Sequence, residues 1–419
     1  VSWQGNTRNR PFDIVILGSS LTARMTAALL AKQGQQVFLF QSPESPSHWW
    51  HSSLFLEKLL GTLGGRACYA PCQPFQVISA HARVTIHPEI PLDRELSREF
   101  GTVSGGDVLG HLHSLQQLGE QLELLLWEFG GLPERSFGEQ LRWRWQAQRR
   151  KVPVGSLTAP LAARLAVADA AARDWLTDLF QGLALQPLAQ LRVADGALLW
   201  AQARRPEGIH AVELLQLLDK RCEQFHVVTA PLSELSAITQ EGRQWQGTLH
   251  GGGRFVAAQL LLGDRRGTLP AMTGLPLPGK NLDAPGGLFT SPLNGNLSPL
   301  LENHVIAGGP RPLRLVVTQT PEGQIGQLEG TGTTDLDILR EQLEPILPFA
   351  RYQLTPAYAP DPAPPAKRPL SLGNVPIRTG HHVWCGDAMW LLPQFGNAGA
   401  ALLSWTLLQK LTQGRGLQD

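Results

Sequence analysis

Two short runs, far apart in the chain, carry residue types at spacings that suit chemistry. The first is Gly18-Ser19-Ser20-Leu21-Thr22-Ala23, directly after the apolar run Asp13-Ile14-Val15-Ile16-Leu17. The second is Gly386-Asp387, directly after Val383-Trp384-Cys385 and soon followed by Gly396-Asn397-Ala398-Gly399. A tight turn from a strand into a helix aims backbone N–H groups and the positive end of the helix dipole at one place, which suits a phosphate. A carboxylate just past a strand, as at Asp387, can accept hydrogen bonds from polyol hydroxyls. A glycine-rich helix start such as 396–399 offers free amides to a phosphate or to an electron-rich ring edge.

Dinucleotide binding asks for G-x-G-x-x-G between a first strand and a first helix: one glycine for the turn, one for phosphate approach, one for helix–strand packing. Gly18 fills the first place, Ser20 the second and Ala23, an accepted substitute, the third. Ser20 adds a side chain where clearance matters, although its hydroxyl can itself donate to a phosphate. Gln41 closes the second strand where an acid usually accepts from the adenosine ribose. Hydrogen bonds to charged groups contribute roughly 1.5–3 kcal/mol and neutral ones roughly 0.5–1.5 kcal/mol. The exchange therefore weakens affinity by on the order of tenfold without abolishing it. No Arg or Lys stands between Gln41 and Lys58 to meet a 2′-phosphate. The same residues also suit a Rossmann-like unit that binds nothing, and Gly386-Asp387 also suits a plain turn before an amphipathic helix.

Other constellations carry less. His111 and His113 are two apart on an expected helix and face different ways, and Cys68 and Cys72 have no second pair to complete a zinc site. The expectation is no metal site. No Gly-x-Ser-x-Gly or His-Glu-x-x-His motif occurs, and no catalytic residue can be named.

The elements that would position the two runs follow from hydrophobic pattern. Residues 13–17 read as a buried parallel strand, 21–33 as a helix stopped by Gly34, and Val37–Phe40 as a second strand, one βαβ unit. Helices are expected at 54–63, ended by Gly64-Gly65, at 107–129, ended by Gly130-Gly131, and at 209–225. Strands are expected at 226–228, 244–249, 255–262, 313–319 and 382–385, and a helix at 334–347. The Pro- and Gly-dense stretch 264–310 reads as surface loops, and 356–369 as extended.

In these residues the chain resembles the glutathione-reductase-type FAD-binding superfamily, and within it the amine oxidase and phytoene desaturase branch. The resemblance covers residues 11–41, 206–264 and 380–413, about a third of the chain. It implies FAD as cofactor. Gly18, Ser19, Ser20, Leu21, Thr22 and Ala23 would face the pyrophosphate, Gln41 the ribose, and Val228 the adenine through its backbone. Gly386 and Asp387 would face the ribityl or pyrophosphate region, and Gly396, Asn397, Ala398 and Gly399 the isoalloxazine end. Gly64-Gly65-Arg66 matches a further motif of the branch in letters but lies later than that motif does, and caps the preceding helix more naturally.

The expected class is α/β: a Rossmann-like FAD/NAD(P)-binding domain in discontinuous pieces, with an inserted α+β substrate domain. Residues 1–80, 191–280 and 373–419 would form the first domain, 81–190 a mainly helical insertion, and 281–372 the rest of the substrate domain. The expected activity is that of an FAD-dependent oxidoreductase on an apolar small molecule, in keeping with the Leu-, Ala- and Trp-rich insertion. The alternative is a non-catalytic member of the fold that binds a protein or lipid partner with weak or no FAD binding.

A formal net charge of +1 argues against a nucleic-acid partner. Four cysteines in 419 residues do not make a disulfide framework, so a reducing compartment, the cytoplasm, is expected. The longest apolar runs fall short of the ~20 residues that span a bilayer. Arg142-Trp143-Arg144-Trp145 with Arg149-Arg150-Lys151 is the one basic–aromatic cluster. Such a segment suits peripheral contact with the inner face of a membrane, and suits equally a solvated helix whose tryptophans cover a domain seam.

Overall fold

The computed structural model describes residues 10–42, 52–65, 68–87, 90–134, 136–263, 288–296, 301–309, 312–320, 323–331, 335–344, 351–354, 375, 377–380, 382–386 and 391–413. Its first strand, β1 (Arg10–Leu17), is covered on both faces: Ile14, Val15, Ile16 and Leu17 are all buried. That is why the run is uniformly apolar rather than alternating. β2 (Val37–Gln41) pairs parallel to β1 after the crossover helix α1 (Leu21–Lys32).

Fifteen further described strands follow, of which six join this sheet. They are β7 (Val228–Pro231), β8 (Leu235–Glu241), β9 (Gln244–Leu249), β10 (Arg254–Leu262), β16 (Arg378–Gly380) and β17 (Val383–Cys385). The order is β16-β17-β10-β1-β2-β7, with β9 on the first half of β10 and β8 outside β9. β17, β10, β1, β2 and β7 run parallel. One face packs α1 against the last described helix, Gly396–Gln413, and against the helix Ala211–Gln224. The other holds Phe12, Phe38, Phe40 and Phe255 together with Trp245 and Ile238 of the β8–β9 hairpin.

The second sheet has seven strands: β4 (Phe75–Ile78), β5 (Arg83–Ile86), β11 (Leu288–Asn296), β12 (His304–Ala307), β13 (Leu313–Thr320), β14 (Gly323–Thr331) and β15 (Arg351–Leu354). Their order is β15-β11-β14-β13-β12-β4-β5, antiparallel except for β4 beside β12. The two remaining strands, β3 (Tyr69–Pro71) and β6 (Glu207–Ile209), pair only with each other. The long helix Asp93–Phe129, kinked at Gly101 (φ 76°), packs on the helices Ala170–Ala184 and Val193–Ala203, and the first two of the three also meet the second sheet at β5, β4 and β12. The long helix meets Val193–Ala203 at Gly119, where any Cβ would overlap the Ala197 carbonyl. The buried Arg314 of β13 donates to the carbonyls of Gly182 and Leu183, and so seats the end of Ala170–Ala184 on the second sheet.

Several expected elements differ. Residues 264–310 do not run wholly as loops, because β11 and β12 lie within them. Pro292 is paired with Gln327 of β14 and lies just outside the β15 ladder, which begins at Leu293. The expected strand at 226–228 starts later, at Val228. His226 (φ 61°) and the Val227 N–H, bonded to Cys222 O at 2.8 Å, are used to close the preceding helix. The long helix starts at Asp93 rather than 107, and strand β5 lies in the stretch read as mainly helical. The expected extended run 356–369 lies outside the described residues, as do Arg66 and Asp387. Among the described residues no helix is long and apolar enough to cross a membrane.

Candidate functional site

The carboxyl ends of β1, β10 and β17 are knitted together by the residues that follow them. The Gly18 N–H donates to Phe40 O (2.8 Å), Gly263 to Leu17 O (2.7 Å) and Gly386 to Leu262 O (2.8 Å). Gly18 sits at φ 106°, a conformation that releases the chain from β1 straight into α1. A Cβ on Gly263 would come within 2.7 Å of the Ala23 Cβ, so the first turn of α1 lies almost on the end of β10.

Ser20 caps this helix. Its Oγ accepts from the Ala23 N–H at 3.3 Å and lies 3.5 Å from Gly386 O, within reach of a weak hydrogen bond. The two sequence runs, 366 residues apart, therefore meet at one edge of one sheet. Ser19 ties the same turn to the end of β2. Its Oγ accepts from the Ser42 N–H at 3.2 Å and donates to Ser42 O, next to Gln41. Arg24 Nε donates to Ser19 O at 3.1 Å, while its Nη1 pairs with Asp219 at 2.8 Å. Among the described residues, the N–H groups of Leu21 and Thr22 have no acceptor, and the buried Thr22 Oγ1 has no partner. These unsatisfied donors at a helix N-terminus suit an anion.

Beyond Gly386 the described chain resumes as a short turn, Pro393–Phe395, leading into the last helix at Gly396 (φ 49°). A Cβ on Gly399 would lie 3.0 Å from Phe395 Cβ and 3.2 Å from Leu392 O, so its smallness serves this turn. The turn packs on the helices Ala170–Ala184 and Val193–Ala203. Gln394 Nε2 donates to the buried Asp195 Oδ1 at 3.2 Å, and Asp195 Oδ2 accepts from the Arg192 N–H at 2.8 Å.

No sequence profile of a known family matches this chain, nor does any curated protein sequence. Solved structures do match in shape. Cyclohexylamine oxidase from Brevibacterium oxydans IH-35A superposes with a TM-score of 0.57 at 13% identity, over 97% of this chain and 99% of that one. An oxidoreductase from Methanosarcina mazei gives 0.61 at 12% identity, over 96% and 100%. The chain has the fold of these oxidoreductases. The flavin-dependent monooxygenase PieE, solved in complex with FAD and substrate, shares it at a TM-score of 0.51 and 12% identity, over 98% of this chain and 59% of that one.

In an open parallel sheet of this kind, ligands lie outside the carboxyl ends of the strands. Gly18, Ser19, Ser20, Leu21, Thr22, Ala23, Gln41 and Gly386 all sit at that edge. Val228 does not: it pairs with Phe38, and Pro231 is the residue level with Gln41. Gly396, Asn397, Ala398 and Gly399 open the last helix, and Ala398 and Gly399 are buried. His111 and His113 flank the buried Leu112, and the described residues hold no cluster of three or more metal-ligating side chains.

Asp195 and Gln394 escape a sequence reading. The only local signal is Asp195 three residues after the helix cap Arg192, the capping-box position. Burial pushes the Asp195 carboxyl up to about 6, against the hydrogen bonds from Arg192 and Gln394 and the Arg192 charge. An unfolded Asp titrates near ~3.9, so between about 4 and 6 the folded chain keeps a proton that the unfolded chain has lost. This carboxyl's contribution to stability therefore falls as pH rises through that window and stays low above it. Asp195→Asn is expected to remove a pH-dependent loss of up to about 3 kcal/mol. Urea unfolding of both proteins across pH 4 to 7 checks this, and parallel curves would rule it out.

Proposed function

We propose that this protein is an FAD-dependent oxidoreductase of the amine-oxidase type that acts on an apolar small molecule. The observation that carries the reading is the meeting of Ser20 with Gly386 at the carboxyl edge of the parallel sheet, beside two backbone donors with no acceptor among the described residues. The donor set fits the group. The Leu21 and Thr22 amides would take pyrophosphate oxygens, Gln41 the adenosine ribose, and the segment after Gly386, including Asp387, the polyol chain. The turn Pro393–Phe395 and the amides at Gly396 and Asn397 would border the ring end. When bound, FAD supplies a two-electron acceptor. The chain's part is to hold the substrate's C–H bond against it and to exclude water.

The similarity in fold to cyclohexylamine oxidase supports an amine with an apolar body as the first substrate class to try. The helices Ala170–Ala184 and Val193–Ala203, whose buried side chains are mostly apolar and on which the turn 393–395 packs, support it too. Anaerobic mixing of the flavin-loaded protein with a series of alkyl- and cycloalkylamines is expected to bleach the visible flavin band with at least one of them. A flavin that dithionite reduces but no amine in the series does would remove the amine assignment.

A second reading is favoured by one observation: Ser20 already satisfies the Ala23 amide that a phosphate would otherwise take. In that reading the fold is kept, FAD binds weakly, and the protein acts by holding a partner. It predicts flavin binding without turnover.

A further inference from the structure

The helix Phe137–Arg149 turns only a narrow face inward, where Trp143 and Ala147 are buried and Trp143 meets the Phe129 ring edge-on at 5.3 Å. Its outer face carries Phe137, Leu141 and Trp145, which are 84%, 59% and 56% exposed. Residues four apart lie along one line of a helix. Three large apolar side chains therefore form a continuous stripe in water rather than scattered single residues.

Every charged side chain that borders the stripe is a cation. Arg144 lies on one flank with Gln148, and Arg142 and Arg149 lie on the other, all exposed. The guanidinium of Arg149 covers the Trp145 ring at 4.7 Å. The helix's one acid, Glu139, lies on a different side and is engaged by Lys410 and by the Glu134 N–H.

Past the helix end is an open groove of about 660 Å³, lined by Arg144, Gln148, Lys151 and the segment Val152–Gly155. Lys151 sits at φ 57°, a left-handed conformation that ordinarily favours glycine. Among the described residues neither Arg144 nor Lys151 has an acidic partner, whereas Arg150 is paired with Glu128.

We propose that this helix docks the protein on an anionic bilayer. Phe137, Leu141 and Trp145 enter the acyl boundary, the flanking arginines reach the headgroups, and the groove between Arg144 and Lys151 receives a lipid phosphate. An interfacial helix has this arrangement: an apolar face down, cations at its borders and no acid among them. A second copy of the chain is a poor occupant, because a two-fold contact through this face would set its arginines against each other. The proposal does not depend on the flavin assignment.

The test is flotation of the full chain with phosphatidylcholine vesicles, with and without about a third phosphatidylglycerol. Binding is expected only to the anionic vesicles and is expected to be reversed by high salt. Arg144→Ala with Lys151→Ala should lower partitioning by roughly 25-fold, since each cation near the surface contributes about fivefold. Leu141→Ser with Trp145→Ser should lower it by more than ~10-fold while the melting temperature is held. Absence of wild-type binding to anionic vesicles, or binding that neither pair of substitutions reduces, overturns the proposal. Self-association lost in the Leu141/Trp145 variant, without vesicle binding, would assign the face to a second copy instead.

Discussion

Methionine in place of Arg205 is expected to destabilise the fold by about 3–5 kcal/mol, among the largest effects of any single substitution in this chain. Arg205 Nη2 donates to Glu123 at 2.5 Å, and Nη1 pairs with Glu57 on the helix Leu54–Leu63. Glu123, on the long helix, is 1% exposed, and Gln202 Nε2 also donates to it at 3.4 Å. Burial pushes the Glu123 carboxyl up, while the charge and hydrogen bonds of Arg205 hold it down. Without the guanidinium a buried carboxylate loses its compensating charge, and this, rather than the intrinsic worth of the pair, sets the cost. Two signatures distinguish this from lost packing. The deficit should shrink as pH falls, because the unpaired Glu123 then takes up a proton. Glu123→Gln should also restore part of the stability of Arg205→Met, an interaction read from a double-mutant cycle. A deficit independent of pH and additive with Glu123→Gln would refute the account.

Substitution at Ser20 is expected to move FAD affinity in both directions. Glutamate places a carboxylate beside the phosphate position. One like-charge pair at about 4 Å and an effective dielectric of about 20 costs about 4 kcal/mol, or roughly a thousandfold in affinity. Glycine removes the side chain, frees the Ala23 amide now capped at 3.3 Å, and reopens the approach beside Gly386. One more hydrogen bond to a charged group contributes about 1.5–3 kcal/mol. The lost cap offsets only a few tenths of that, since glycine is tolerated at this position. Ser20→Gly should therefore bind FAD at least ~10-fold more tightly than the parent chain. Equal affinities for the parent, glycine and glutamate forms would mean that the phosphate does not lie at this turn.

The parallel core was legible because its strands are short uninterrupted apolar runs. Ile14–Leu17 and Val37–Phe40 can only be buried on both faces, and Gly18 and Gly34 mark where the chain must turn. The second sheet was harder to read. β11 and β12 lie in a Pro- and Gly-rich stretch whose local signals favour turns, and their pairing with strands distant in sequence overrides those signals. At the candidate site, the first turn and the segment after β17 were visible as motifs. Ser20 was visible only as a missing glycine. Its use as a helix cap against the Gly386 carbonyl depends on a contact spanning 366 residues. Asp195 with Gln394 and Arg205 with Glu123 were hidden for the same reason, being 199 and 82 residues apart. The two neighbouring tryptophans, Trp143 buried and Trp145 exposed, take opposite roles that only the packing against Phe129 decides.

The most direct test of the central claim is an equilibrium titration of the flavin-stripped chain with FAD, followed by flavin fluorescence and by the visible absorption bands. Saturation is expected at one FAD per chain, with a Kd on the order of micromolar, and with bound-flavin bands that bleach with dithionite. A protein that stays colourless and leaves FAD fluorescence unchanged at ~100 μM FAD would contradict that claim.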